Sequence, residues 1–278
     1  MSVNISFFYE KIITLRVKWF TFSAMKIASW NVNGIRARID HVVSWIKEHE
    51  PDVLSLQETK VIDDLFPYEA FESLSYSVQA FGQKSYNGVA NITKLASEDT
   101  KRGITGFEDP QTRVISSTHN GVRIINVYVP NGQAVGTEKF SYKLEWLEHL
   151  KKMLKNDLNS YPKTVVLGDF NIAPKDEDIH DPEEWKDKIL CSDLERSAYQ
   201  EIMSLGFHDS FRIFEKEAGF HSWWDYRAAA YRRKLGLRID LVLVSEELKS
   251  QCVNGYIDEK PRSLEKPSDH TPVVVEIN

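Results

Sequence analysis

Lys163-Thr164-Val165-Val166-Leu167-Gly168-Asp169-Phe170-Asn171 is the stretch that decides the fold. Its apolar run reads as a buried strand over residues 163–167, too short for a helix. The strand feeds directly into two oxygen-donor side chains, Asp169 and Asn171, two residues apart. The same arrangement recurs along the chain. A strand at 26–30 runs into Asn31, one at 52–57 into Glu58, and Tyr128 stands near the end of a strand at 122–129. Residues 88–94 and 113–118 read as further strands, the second joined to 122–129 by the hairpin signal Asn120-Gly121. Asp240 opens a strand over 239–244, and Asp269-His270 immediately precede one over 272–277. All these polar residues share one rim only if the last two strands run antiparallel to the others.

Between the strands lie amphipathic helices. Ile39, Val42, Val43 and Ile46 recur at helical spacing, which predicts a helix over 39–48 that stops before Pro51. A long helix is predicted over 139–158, and another over 192–205 that opens with a capping box, Ser192 to Glu195. With no internal repeat or linker, residues 25–278 read as one α/β domain built on mixed sheets. Residues 1–24 are set apart from it, because Met25-Lys26 opens the first convincing strand. That extension carries Lys11, Arg16 and Lys18 against Glu10, and these charges break up the apolar stretch a signal peptide needs.

The chain has 278 residues, 42% of them hydrophobic and 27% charged, enough for a sizeable core. Its net charge of −6 excludes a protein that holds nucleic acid by bulk charge, though not one with a locally basic groove. Cys191 and Cys252 cannot by themselves make a disulfide framework or a zinc site, and they fit a reducing, cytoplasmic setting. No apolar run approaches the roughly 18 residues that span a membrane.

Each rim residue alone has a plain structural reading. Asn31 before Asn33-Gly34 suits a turn, Glu58 a solvated edge, Gly168–Asn171 an Asx-turn, and Asp269-His270 a loop between prolines. Asp240 is different, because it heads the apolar run Leu241-Val242-Leu243-Val244 and a carboxylate there needs a partner. Jointly, five strand ends carrying oxygen or imidazole donors point to a site. Carboxylates and carboxamides without cysteine are hard ligands suited to Mg²⁺ or Mn²⁺. Such a set, with a further Asp, a His and an Asn, suits hydrolysis of a phosphate ester by activated water.

Seven motifs together resemble the exonuclease III family, AP endonucleases of the endonuclease/exonuclease/phosphatase superfamily. They are Trp30-Asn31-Val32-Asn33-Gly34-Ile35-Arg36, Leu56-Gln57-Glu58-Thr59-Lys60, Tyr128-Val129-Pro130-Asn131-Gly132, Gly168-Asp169-Phe170-Asn171-Ile172, Ser222-Trp223-Trp224-Asp225-Tyr226-Arg227, Gly236-Leu237-Arg238-Ile239-Asp240 and Pro267-Ser268-Asp269-His270. The resemblance covers residues 25–278 and implies a four-layer α/β sandwich, two mixed β-sheets flanked by helices. It implies Glu58 as principal metal ligand, with Asn31, Asp169, Asn171 and Asp269 around it, for Mg²⁺ that Mn²⁺ can replace. Asp169 resembles the family's general base and Asn171 its support. Asp240 would fix the tautomer of His270, which with Tyr128 would face the phosphate. Trp223, Leu237 and Ile239 match the walls of a pocket for an extrahelical abasic sugar, with Arg227 beside them. The implied activity is cleavage of double-stranded DNA 5′ to abasic sites and 3′→5′ trimming of ends, by a monomer.

The stretch from Arg227 to Arg238 adds five basic residues (Arg227, Arg232, Arg233, Lys234, Arg238) and no acidic one, a candidate phosphate-contacting strip. The acidic stretch at 176–187 reads as solvated surface. One of Trp223 and Trp224 reads as ordinary core. Asn91 and His221 depart from the family's apolar residues, and Asn91 therefore places its strand at a sheet edge. The insertion-like stretch at 174–185 follows Asp169 and Asn171 directly, where it bears on the balance of endonuclease and exonuclease activity. Two other functions compete: a superfamily phosphatase of inositol phosphates or another phosphoester, and a non-catalytic DNA-binding module. The basic strip and Trp-rich motif speak against the first; retention of Glu58, Asp169 and His270 speaks against the second.

Overall fold

The computed structural model describes residues 24–278, so nearly all of the extension at 1–24 lies outside the described residues. In chain order, β1 (Met25–Asn31) leads through α1 (Ile35–His49) to β2 (Val53–Gln57), and α2 (Tyr68–Glu72) precedes β3 (Ser77–Phe81) and β4 (Val89–Thr93). Next come β5 (Glu98–Arg102), β6 (Val114–His119), β7 (Val122–Tyr128), α3 (Glu138–Ser160), β8 (Thr164–Asp169), α4 (Pro182–Trp185) and α5 (Asp193–Met203). The remainder is β9 (Phe207–Asp209), α6 (Ser210–Phe214), β10 (Asp240–Ser245), α7 (Glu246–Lys249), β11 (Cys252–Ile257) and β12 (Val273–Ile277). Two mixed six-stranded sheets result, ordered β11-β12-β1-β2-β4-β3 and β5-β6-β7-β8-β10-β9.

Helices cover both outer faces, because both faces of the central strands are apolar. On the first sheet, Val42, Trp45, Ile46 and Phe71 pack on Trp30, Leu54 and Leu56. On the second, Trp146, Leu150, Leu154 and Ile202 pack on Val127, Val166 and Leu241. Between the sheets, Ile27, Val53, Ile124, Val165, Val242 and Val275 form a third core. The architecture is the expected four-layer sandwich. Among the described residues no helix is long and apolar enough to cross a membrane.

The antiparallel demand is met. β1 runs parallel to β2 and β7 to β8, so Asn31, Glu58, Tyr128 and Asp169 end at one rim. β10 runs antiparallel to β8 with Asp240 opposite Asp169, and β12 antiparallel to β1 with Val273 opposite Ser29. Gly168 is required for this crowding: at its φ of 145°, a Cβ would fall 1.8 Å from the Val127 carbonyl oxygen.

The structure corrects several readings. α1 begins four residues earlier than expected, at Ile35, which extends the buried stripe by one turn. β5 escapes hydrophobic patterning because all five of its residues are exposed and only its backbone pairs with β6. Asn91 does not mark an edge: β4 lies between β2 and β3, and Asn91 is fully buried. Its amide is satisfied by Ser55 (2.7 Å) and Ser117 (3.1 Å), part of a polar belt between the sheets. A buried amide needs partners rather than water. The stretch at 176–187 is not all solvated either, since Asp178 is fully buried among arginines.

Candidate active site

Asp169 sits at the centre of the rim, 1% exposed. Its Oδ2 accepts from the amides of Asn31 (2.9 Å) and Asn171 (3.2 Å), while Oδ1 accepts from the Asn171 backbone N–H (2.9 Å). Asn31 also donates to Glu58 Oε1 (2.9 Å), so one amide spans both carboxylates. Glu58 and Asn171 have positive φ, 51° and 50°. For Glu58 that is strained backbone, of order 1–3 kcal/mol, held by its neighbours. One such neighbour is the Gly34 N–H, which donates to the Glu58 carbonyl at 2.7 Å.

On the other side, His270 Nδ1 lies 2.9 and 3.1 Å from the two oxygens of Asp240, and its Nε2 lies 3.8 Å from Asp169. Ser222 fixes Asp240, its hydroxyl donating to Oδ2 at 2.6 Å while accepting the Asp240 backbone N–H. Burial opposes charge on His270, but Asp240 and Asp169 outweigh it and push its pKa up to about 10. Burial, with Asp240 and Glu58, pushes Asp169 up to about 7 against the pull of His270. Tyr128, half-buried beside Glu58 and Asp169, has its phenol pushed well above its ordinary value by desolvation and these carboxylates, and it remains a donor.

Glu58, Asp169 and His270 offer ligand atoms within 4.8 Å of one another, a set that fits a divalent cation. His270, held protonated by Asp240, is the poorest ligand of the three, leaving two hard carboxylates. Asn31 and Asn171, expected as ligands, present their oxygens elsewhere, to the Asn33 N–H and to Asn131 Nδ2. Asp269 lies outside the close group, gripped by Asn33 (2.8 Å) and the Trp223 indole (3.1 Å).

A cleft of about 430 Å³ joins these groups to Trp223, Arg227 and Ile239, and Trp185 and Ile189, which pack in one cluster with Trp223 and Ile239, also line it. Leu237, expected on the wall, is instead fully buried behind Trp223, in a cluster with Ile179 and Cys191. Trp224 is the core member of the Trp pair, 2% exposed. Arg238 leaves the basic strip: it is buried and ion-paired with Asp178 (2.6 Å) and Asp209 (2.7 Å), so it cannot reach DNA. Ser222, Ser268 (whose hydroxyl donates to the Asn31 carbonyl at 2.7 Å), Asn33 and Trp185 were not expected. The first three lay within quoted motifs, but hydroxyls and amides that act through neighbours carry no spacing signal. Trp185, edge-on to Trp223 at 6.4 Å, was hidden in an acidic stretch. A larger groove of about 650 Å³ opens beside the cleft, sharing Asn131 and Gln133, but no carboxylate lines it.

Known proteins share the sequence pattern and the fold of this chain. The model of the endonuclease/exonuclease/phosphatase family matches residues 28–270. The chain belongs to that family. Within it, the chain groups with the exonuclease III-type DNA repair nucleases. Exodeoxyribonuclease III of Haemophilus influenzae is 40% identical over 91% of this chain and 99% of its own length. Among solved structures, a 3′ phosphatase from Neisseria bound to a product DNA hairpin superposes with a TM-score of 0.90 at 43% identity, covering 92% of this chain and 100% of that one. An AP endonuclease from Archaeoglobus fulgidus gives 0.89 at 39% identity, covering 91% and 99%. The family's two-sheet sandwich is therefore the fold of this chain.

Proposed function

We propose that the cleft hydrolyses phosphodiesters of double-stranded DNA, 5′ to an abasic site and at 3′ ends, with Mg²⁺ bound and Mn²⁺ able to replace it. The observation that carries this reading is Asp169, buried between Glu58 and the Asp240–His270 pair where both sheets meet. Burial, with Asp240 and Glu58 close by, raises its pKa in the metal-free site, and its place among these groups suits a base that takes a proton from water. The Asn31 and Asn171 amides fix the carboxylate's direction. His270, oriented by Asp240, turns Nε2 toward the reacting phosphate, and Tyr128 adds a neutral donor. Mg²⁺ held by Glu58 and Asp169 would supply positive charge to the phosphate and leaving oxygens.

Trp223 and Ile239 form the apolar side of the cleft, and Arg227, largely exposed, stands at its mouth. An abasic nucleotide enters cheaply because it has no base to unstack. Free Cys191 and Cys252 accord with action in a reducing compartment such as the cytoplasm. The test is a labelled duplex with one abasic site, set beside an undamaged recessed 3′ end, with Mg²⁺ or chelator. Incision 5′ to the lesion that stops in chelator is expected; full turnover in thorough chelator would overturn the metal reading.

A further inference from the structure

Behind the rim lies a charge that the chemistry does not use. Lys143, on α3, is fully buried, and its ammonium forms an ion pair with fully buried Glu195 of α5. Its other two bonds go to backbone carbonyls, those of Asn171 (2.6 Å) and Asn131 (3.2 Å). These two loops also meet directly, Asn131 Nδ2 donating to Asn171 Oδ1 at 3.0 Å. Glu195 in turn accepts from the backbone N–H of Leu190 (3.0 Å) and Ser192 (3.1 Å), so it anchors the segment carrying Ile189 and Leu190. Asn131, Asn171, Ile189 and Leu190 all line the cleft. Packing agrees: a Cβ at Gly132 would touch the Lys143 and Ile189 side chains at 3.1 and 3.0 Å.

We infer that Lys143 and Glu195 are positioning residues, a buried hub that fixes three cleft walls relative to one another and so aims the Asn171 amide at Asp169. The ion pair alone would be a weak reason for burial, since buried pairs often stabilise no more than apolar replacements. An ammonium has three donors, and here one goes to the counter-ion and two to the walls of the site. Displacing such walls by about 1 Å commonly costs about 10²-fold in rate.

The inference rests on the nuclease reading, and the test separates the two. The variant is Lys143→Met with Glu195→Gln, which removes the donor to both carbonyls, leaves no unpaired buried charge and keeps one of the two acceptor oxygens that hold the Leu190 and Ser192 N–H groups separately. On an abasic duplex with Mg²⁺, well below the melting temperature, kcat should fall about 10- to 100-fold while the Kd for DNA changes less than about threefold. Lys143→Arg, which keeps the donors, should recover most of the rate. In the metal-free protein, the side-chain amide NMR signals of Asn131 and Asn171 should shift in the double variant and stay near wild type in Lys143→Arg. A folded double variant with kcat within twofold of wild type, or with both amide signals unmoved, overturns the inference. If the double variant does not fold, kcat and the amide signals of Lys143→Arg decide: wild-type values of both support the hub, and changed amide signals with normal kcat overturn it. If the wild type cuts no duplex, the nuclease reading fails and the amide signals judge the hub alone.

Discussion

Two buried charge clusters lie on either side of Ile239, and they solve opposite problems. Asp178, Asp209, Arg212 and Arg238 match two carboxylates with two guanidiniums at 2.5–2.7 Å. Glu58, Asp169 and Asp240 crowd three carboxylates around one imidazole, with Lys60 at 2.8 Å from Glu58. Burial disfavours charge on both Asp178 and Asp169. In the first case Arg238 and Arg212 overcome it and hold Asp178 below its usual range; in the second, Asp240 and Glu58 reinforce it and raise Asp169. A compensated cluster costs the fold little as long as every partner is present. An uncompensated one of similar burial is a receptor for positive charge or a proton, and it costs stability.

The largest expected effect breaks the comparison at Asp169. Asp169→Asn should lower kcat by at least about 10³-fold yet leave the metal-free melting temperature equal or higher, because it removes one of the crowded negative charges. Single-turnover incision and calorimetry measure the two; a clear drop in melting temperature would mean that Asp169 is structural like Asp178. Next come Asp240→Asn and His270→Asn. Each should cost about 10²–10³ in rate with little change in DNA affinity. The double variant should be barely slower than either, because the pair acts as a unit. Fully multiplicative losses would separate the two residues.

Asp178→Asn sharpens the other side. It strips Arg212 and part of Arg238 of a counter-charge, so about 3 kcal/mol of stability should go, roughly 6–12 °C in melting temperature. Its pH dependence has a definite sign. A carboxylate with a depressed folded pKa contributes stability above its unfolded pKa, about 3.9, and loses it as pH falls through the folded value. Wild type should therefore lose stability on acidification below about pH 4 more steeply than Asp178→Asn; parallel curves would refute the assignment. The smallest effect is expected from deleting residues 1–24, which carry none of the motifs: melting temperature and incision rate should stay nearly unchanged. Loss of folding would move the domain boundary.

How much was legible follows from what each residue answers to. Strands such as β8, buried on both faces, announce themselves by apolar runs, and the residues at their ends could be placed on one rim by topology alone. Asp240 could be singled out because a carboxylate heading Leu-Val-Leu-Val has to find a partner. Arg238 could not. Whether an arginine faces a phosphate or a buried aspartate depends on Asp178 and Asp209, 60 and 29 residues away. Leu237 misled for a related reason: it shares one apolar cluster with Ile239 just ahead of β10, but its backbone pairing with Trp223 keeps it behind the indole while Ile239 lines the cleft. Asn91 and Asp178 were misread because composition reports polarity and not whether a polar group is satisfied.

The rim groups proposed to react divide between the two sheets: Asn31, Glu58 and His270 hang from the first, Tyr128, Asp169 and Asp240 from the second. Neither sheet alone holds a carboxylate pair, an imidazole and its counter-ion. His270 also sits just ahead of β12, which slots between β1 and β11. A chain with either sheet unformed would therefore lack a complete set of these groups, so the blade exists only once both halves have locked together.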